Sequence, residues 1–196
     1  MDRFEYLIGL VSLIVGLGLA DIAISLHRLI KHRSRVRWDG LAMATAAFAA
    51  VTMVWIWYNI WSLRDFTGTG GFLFYLTLLI EMFLLFLAAA ACLPDESELS
   101  EPGGWDLTAY YARSHGYIWT VMALFHASYL IHWIYLGVGY GLTMRLMLEH
   151  WAQVLMTLAP VAICAALIFA SARRLQWGLL VVLTLVKIAP IWNQTL

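Results

Sequence analysis

The sequence predicts an all-α integral membrane protein, built as a bundle of six transmembrane helices. Of its 196 residues, 63% are hydrophobic and only 12% are charged, and the mean hydropathy is +0.80. A soluble domain carries about 25% charged residues. Six apolar stretches each reach roughly the 20 residues that a helix needs to cross a bilayer. The basic residues are concentrated in alternate connections between these stretches.

The six predicted spans are joined by short connections, with one exception. The spans cover about 5–30, 39–63, 72–93, 116–137, 147–171 and 175–193. The exception, 94–115, is polar, and we interpret it as an acidic loop followed by a short interfacial helix with Asp106 as its N-cap. The N-terminus lacks a basic segment and a clear cleavage site, so the first span is expected to be retained. The chain is expected to form a single transmembrane domain.

The basic residues predict the orientation of the bundle. The first connection is flanked or formed by Arg28, Lys31, Arg33, Arg35 and Arg37, and the fifth contains Arg173 and Arg174. With six spans both connections lie on one side, which the positive-inside rule assigns to the cytoplasm. We therefore expect a multi-pass protein of the bacterial inner membrane, with both termini non-cytoplasmic and the acidic loop cytoplasmic.

The tryptophans predict an aromatic belt at each membrane interface. Six fall at the predicted outer ends of spans, namely Trp55, Trp57, Trp61, Trp133, Trp151 and Trp192. Four fall at the inner ends, namely Trp38, Trp105, Trp119 and Trp177. The belt accounts for the string WIWYNIW without a cofactor site.

Five ionisable residues remain at membrane depth: Asp21, Glu81, His126, His132 and Lys187. A charge at the centre of a span costs about 2.5–3.5 kcal/mol, so such side chains face the bundle interior and are candidate functional groups. Asp21 shares one helix stripe with Ser25 and Arg28, because positions i, i+4 and i+7 lie on one face. We expect this stripe to face the bundle rather than lipid.

Glu81 and Lys187 allow three interpretations. They form a structural ion pair between the third and sixth spans, or one of them titrates during transport, or Lys187 extends to the outer surface. Thr77 and Thr184 stand one turn before them.

His126, Tyr129 and His132 lie at i, i+3 and i+6 of the fourth span. The two histidines are about 120° apart around a helix, which favours a proton relay over a metal chelate on this helix alone. The alternative is that both histidines bond to neighbouring helices, and metal binding is left open.

The ionisable residues also recur at a nearly constant offset along the chain. Asp21 precedes His126 by almost the same distance as Glu81 precedes Lys187, and the latter two each follow an LTL run. This spacing favours two three-helix halves of opposite orientation, a duplication found in many transporters.

The function that these residues predict is movement of protons or a small cation through a polar path between helices. Glu81 would titrate, Lys187 would tune it, His126 and His132 would relay, and Asp21 would form the inner exit. The alternatives are a non-catalytic accessory or structural subunit of a larger membrane complex, and a haem-binding electron-transfer protein that uses the histidines.

Catalytic motifs are missing from the sequence, so an enzyme is not expected. Apart from haem, the sequence gives no reason to expect a cofactor. The expected partners are the lipid bilayer and further protein subunits, as a homo-oligomer or within a membrane complex. Twelve basic residues balance twelve acidic ones, which gives no indication of nucleic-acid binding.

Overall fold

The computed structural model describes residues 3–61, 72–95, 104–139 and 151–194. This part of the chain forms six α-helices and a single pair of two-residue strands. The helices are α1 (Arg3–Lys31), α2 (Gly40–Ile60), α3 (Phe72–Ala90), α4 (Leu107–Gly139), α5 (Trp151–Phe169) and α6 (Arg173–Gln194). The strands are β1 (Val36–Arg37) and β2 (Trp105–Asp106), and a short 3-10 turn at Arg33–Arg35 precedes β1. The predicted all-helical fold is confirmed.

Two helices in the described part of the chain are long and apolar enough to cross a membrane, over Phe4–Lys31 and Gly40–Ile60. Shorter apolar helical stretches cover Phe74–Ala90 and Leu155–Phe169. The structure therefore contains two candidate membrane spans, and a bundle of six is not confirmed.

The helix ends carry the residues that helix electrostatics favours. Helix α1 has Glu5 in its first turn and Arg28 and Lys31 in its last turn, which complements the helix dipole. Asp39 caps α2, because its side chain accepts from the backbone N–H groups of Leu41 and Ala42.

The described end of the third connection, from residue 104 onward, carries the expected helix cap. Asp106 is the expected N-cap, since its Oδ1 accepts from the backbone N–H of Thr108 at 2.8 Å and of Ala109 at 3.1 Å. The helix that it caps is α4 itself, which runs unbroken for 33 residues. The short helix expected to lead into the fourth span is thus the first part of α4, which begins at Leu107, before the expected start of the span at 116.

The first and third connections meet at one end of the bundle. Strands β1 and β2 pair in parallel, with Val36 opposite Trp105 and Arg37 opposite Asp106. The fifth connection joins them through Arg173, which bonds Asp39. This end, formed by residues 32–39, 104–106 and 170–173, is called the basic end below.

The helices pack around a core in which α4 has a central place, because it lies along both α3 and α5. Trp119, Met122 and Phe125 of α4 are fully buried. Helix α1 packs on α3 and α2, and α6 packs mainly on α5 with a looser contact to α2. The two halves of the chain therefore pack differently. Within the first half α1 lies mainly against α3, the third helix of that half. Within the second half α4 lies mainly against α5, the second helix of that half.

Candidate functional site

Asp39 is the most strongly bonded acid of the basic end. It is 3% exposed, accepts two backbone N–H bonds of α2 at 2.8 and 2.9 Å through Oδ1, and accepts from the Arg173 guanidinium through Oδ2. Burial favours the neutral acid and raises its pKa. The backbone N–H of Ala42, Arg173 and the Thr108 hydroxyl favour the carboxylate more strongly, so the net effect is a lowered pKa.

A second ion pair fixes the strands of the basic end. Arg37 donates to Asp106 Oδ2 at 3.0 Å, next to the backbone pairing of the same two residues. The pKa of Asp106 is lowered, first by the backbone N–H of Ala109, against partial desolvation, and then by Thr108 and Arg37. Sequence reasoning did not predict either ion pair, because each joins connections that are far apart in the chain.

A buried hydrogen bond continues from the basic end into the core. Trp119 Nε1 donates to the Tyr111 hydroxyl at 3.0 Å, and Tyr111 lies within electrostatic reach of Asp39. Trp119 is fully buried, so its assignment to the inner aromatic belt was wrong. Trp119 faces α2, where its ring lies 6.2 Å from the ring of Phe48. It is therefore a packing residue of the core.

The stripe of α1 lies as expected toward the bundle. Ser25 is 3% exposed, and Asp21 and Arg28 are half-buried. Asp21 lies within electrostatic reach of Arg28 and of Asp95, which follows α3. Asp21, Arg28 and Asp95 therefore lie near the basic end. They lie apart from the ionisable side chains at the middle of the bundle.

Glu81 is 1% exposed on α3, so it faces the interior as predicted for an ionisable group. The structure surrounds Lys187 with other groups. Its ammonium lies 4.4 Å from the ring centroid of Trp55 and 5.9 Å from that of Phe125. Two ion pairs of the described residues join Arg37 to Asp106 and Arg173 to Asp39, and none that the structure describes joins Glu81 to Lys187.

Three titratable side chains converge between α4, α5 and α6. His126 is 2% exposed, and Cys164 is fully buried. Lys187 lies within electrostatic reach of both. Within the described residues His126 Nε2 has no hydrogen-bond partner, which is costly for a buried ring nitrogen. We call His126, Cys164 and Lys187 the central cluster.

The supporting residues satisfy their own helices. Thr77 donates to the Phe74 carbonyl at 2.9 Å, and Thr184 donates to that of Leu180 at 2.8 Å. The side chains of Tyr129 and His132 lie outside the described residues, so the relay from His126 to His132 stays a prediction. Trp55 and Cys164 were missed as members of a site, because they show only belt and core patterns in the sequence.

The side chains that converge in the described residues are proton donors and acceptors. The described residues contain no group of three or more His, Cys, Asp or Glu side chains that could hold a metal ion. The central cluster combines an imidazole, a thiol and an amine, each of which exchanges protons.

Comparison with known proteins finds no family model that matches this chain, no similar curated protein and no similar solved structure.

Proposed function

We propose that the protein is an integral membrane protein with six spans, and that it moves protons across the bacterial inner membrane. Large apolar side chains are exposed on every helix, among them Leu13, Val51, Phe83, Leu124, Leu155 and Leu185. Such a surface is unfavourable in water and suited to lipid. This distribution supports six spans, beyond the two helices of the described residues that are long and apolar enough to cross a membrane.

The orientation rests on the basic end. Arginines of the first and fifth connections meet there, and the positive-inside rule places such an end in the cytoplasm. Both termini then lie on the non-cytoplasmic side.

The unpartnered ring nitrogen of His126 is the observation that carries the proposed proton movement. A buried imidazole with a vacant Nε2 can accept a proton and return it without breaking an existing hydrogen bond. Lys187 from the facing helix supplies a second proton-carrying group within electrostatic reach. Ionisable residues inside a membrane often mark proton relays.

The central cluster favours a proton over a metal cation. A cation path requires oxygen acceptors and a negative field, as in acidic rings of cation channels. Here the charged member of the cluster is an ammonium on aromatic rings. A metal cation would be repelled at this point, whereas a proton is carried by the groups themselves.

Glu81 and Asp21 have separate roles in this proposal. Glu81, buried on α3, is the carboxylate of the path and lies apart from Lys187, and Asp21 lies nearer the basic end as the inner exit. His132 continues the relay from His126 toward the outer surface. These assignments follow from depth along each helix.

The test is proton flux in proteoliposomes, followed with a pH-sensitive dye under an imposed potential. His126→Leu is expected to lower flux about tenfold or more, because the relay loses its proton-accepting nitrogen. His27→Leu is the matched control, since His27 is exposed on α1, and it should conduct like the parent. Glu81→Gln tests the role of the Glu81 carboxylate in the same assay.

Two results would overturn the proposal. The first is a folded parent that moves no protons, and the second is equal flux in the parent and His126→Leu. Recovery of the parent only as a fixed component of a larger assembly, without flux, would favour the accessory-subunit alternative. A Soret band lost on replacing His126 would favour the haem protein.

A further inference from the structure

A groove runs between α2 and α6, where these helices make only a loose contact. Its volume is about 710 Å³, within the range of ligand pockets. The α2 wall contains Ala44, Ala47, Val51 and Val54, and the α6 wall contains Thr184 and Ile188. Small side chains on α2 leave the space that larger ones would fill.

The groove is long enough to hold a single hydrocarbon chain. Its lining extends along α2 from Ala44 to Tyr58, which is about 21 Å at the helical rise. This length exceeds half the hydrocarbon thickness of a bilayer, about 30 Å in all. Exposed neighbours such as Val51 and Val54 leave the groove open to the surrounding lipid in a membrane.

Among the described residues that line this groove, Lys187 is the one that carries a charge. It lies fourteen residues beyond Arg173, so its backbone is about 21 Å from the basic end and inside the hydrocarbon layer of a spanning bundle. Its described ring neighbours are Trp55 and Phe125, and no ion pair within the described residues neutralises it. A charge at this depth is costly unless an opposite charge pairs with it.

We propose that the groove binds a long-chain fatty acid, with its carboxylate on Lys187 Nζ and its hydrocarbon chain along the alanine wall of α2. The carboxylate supplies the opposite charge that Lys187 lacks, and the chain fills the apolar groove. A phospholipid fits less well, because it brings a second chain and a phosphate that stays at the membrane surface.

The binding proposal is independent of proton movement, because no gradient is needed for it. Binding of radiolabelled palmitate is measured on the purified protein in nanodiscs of zwitterionic lipid. Palmitate is expected to bind saturably, and unlabelled palmitate should displace it. Methyl palmitate, which lacks the carboxylate, and octanoate, which lacks the chain length, should both compete poorly.

Two variants test the two halves of the site, each with a matched control. Lys187→Met removes the charge and Ala47→Phe fills the groove, and each should weaken palmitate binding about tenfold or more. Lys31→Met removes the other lysine of the chain, and Ala23→Phe enlarges an exposed alanine of α1. Both controls should bind palmitate like the parent.

Several outcomes would overturn the proposal. Equal competition by methyl palmitate would mean that the groove takes any apolar chain. Displacement of palmitate by an anionic phospholipid at lower concentration would assign the groove to membrane lipid. Unchanged binding in both Lys187→Met and Ala47→Phe would place the palmitate elsewhere.

Discussion

Asp39 shows how one side chain serves a helix and a tertiary contact at once. Its Oδ1 caps α2 and its Oδ2 holds Arg173 at the start of α6. Arg173 is 47% exposed, so the ion pair itself is screened by water and contributes modestly. The two hydrogen bonds from backbone N–H groups of α2 to Asp39 Oδ1 are buried and carry more of the stabilisation.

We expect Asp39→Ala to lower the free energy of unfolding by about 1–2 kcal/mol, because α2 loses its cap. Asp39→Asn keeps an oxygen for the cap and should cost less. Because the folded pKa of Asp39 is lowered, its carboxylate stabilises the fold above the ordinary pKa of 3.8. This contribution is lost as the pH falls through the folded pKa.

The difference between parent and Asp39→Ala should therefore shrink in acid. Chemical or thermal unfolding in detergent, followed at pH 7 and again below about pH 4, measures this difference. Equal stability of Asp39→Asn and Asp39→Ala would show that the charge, and not the cap, carries the effect.

The position of each helix depends on a few close contacts at its ends. Gly104, just before β2, has φ +90°, and a Cβ there would lie 2.5 Å from the Arg35 carbonyl oxygen. Only glycine adopts this conformation without strain. The chain can therefore bring β2 against β1, and α4 begins directly after that pairing.

We expect Gly104→Ala to destabilise the protein by about 1–3 kcal/mol, through backbone strain and the clash with Arg35. The melting temperature in detergent measures the change. Gly116→Ala is the matched control, because nothing lies within 4 Å of a Cβ at this position of α4. That control should be neutral or slightly stabilising, and a Gly104→Ala protein that melts like the parent would contradict the prediction.

At the scale of the whole molecule, the paired strands and the Asp39–Arg173 bond bring the first, third and fifth connections to one end. The orientation of this end in a membrane can be tested with single cysteines, since Cys92 and Cys164 are both buried and should react slowly. In intact cells, an impermeant maleimide should not label Arg35→Cys, whereas Glu5→Cys at the opposite end should be labelled. Labelling of Arg35→Cys from outside would show that the basic end faces outward and that the predicted orientation is wrong.

The sequence by itself determined the helices and much of their ends. Length, hydropathy and Asp106 as a cap are local properties, since they depend on residues within a turn or two. The interior orientation of Glu81 and His126 also followed from the sequence, because ionisable groups at membrane depth avoid lipid. The fourth helix begins at Leu107 rather than near residue 116, because a polar segment and an apolar one share one continuous helix.

Only the tertiary structure decided which side chains meet. The packing of α4 between α3 and α5 places Lys187 with Trp55 and His126 rather than with Glu81. The sequence gives the depth of a residue along its helix, which follows from the rise per residue. It does not give the rotation of one helix against another, because that rotation is set by side-chain packing among segments far apart in the chain.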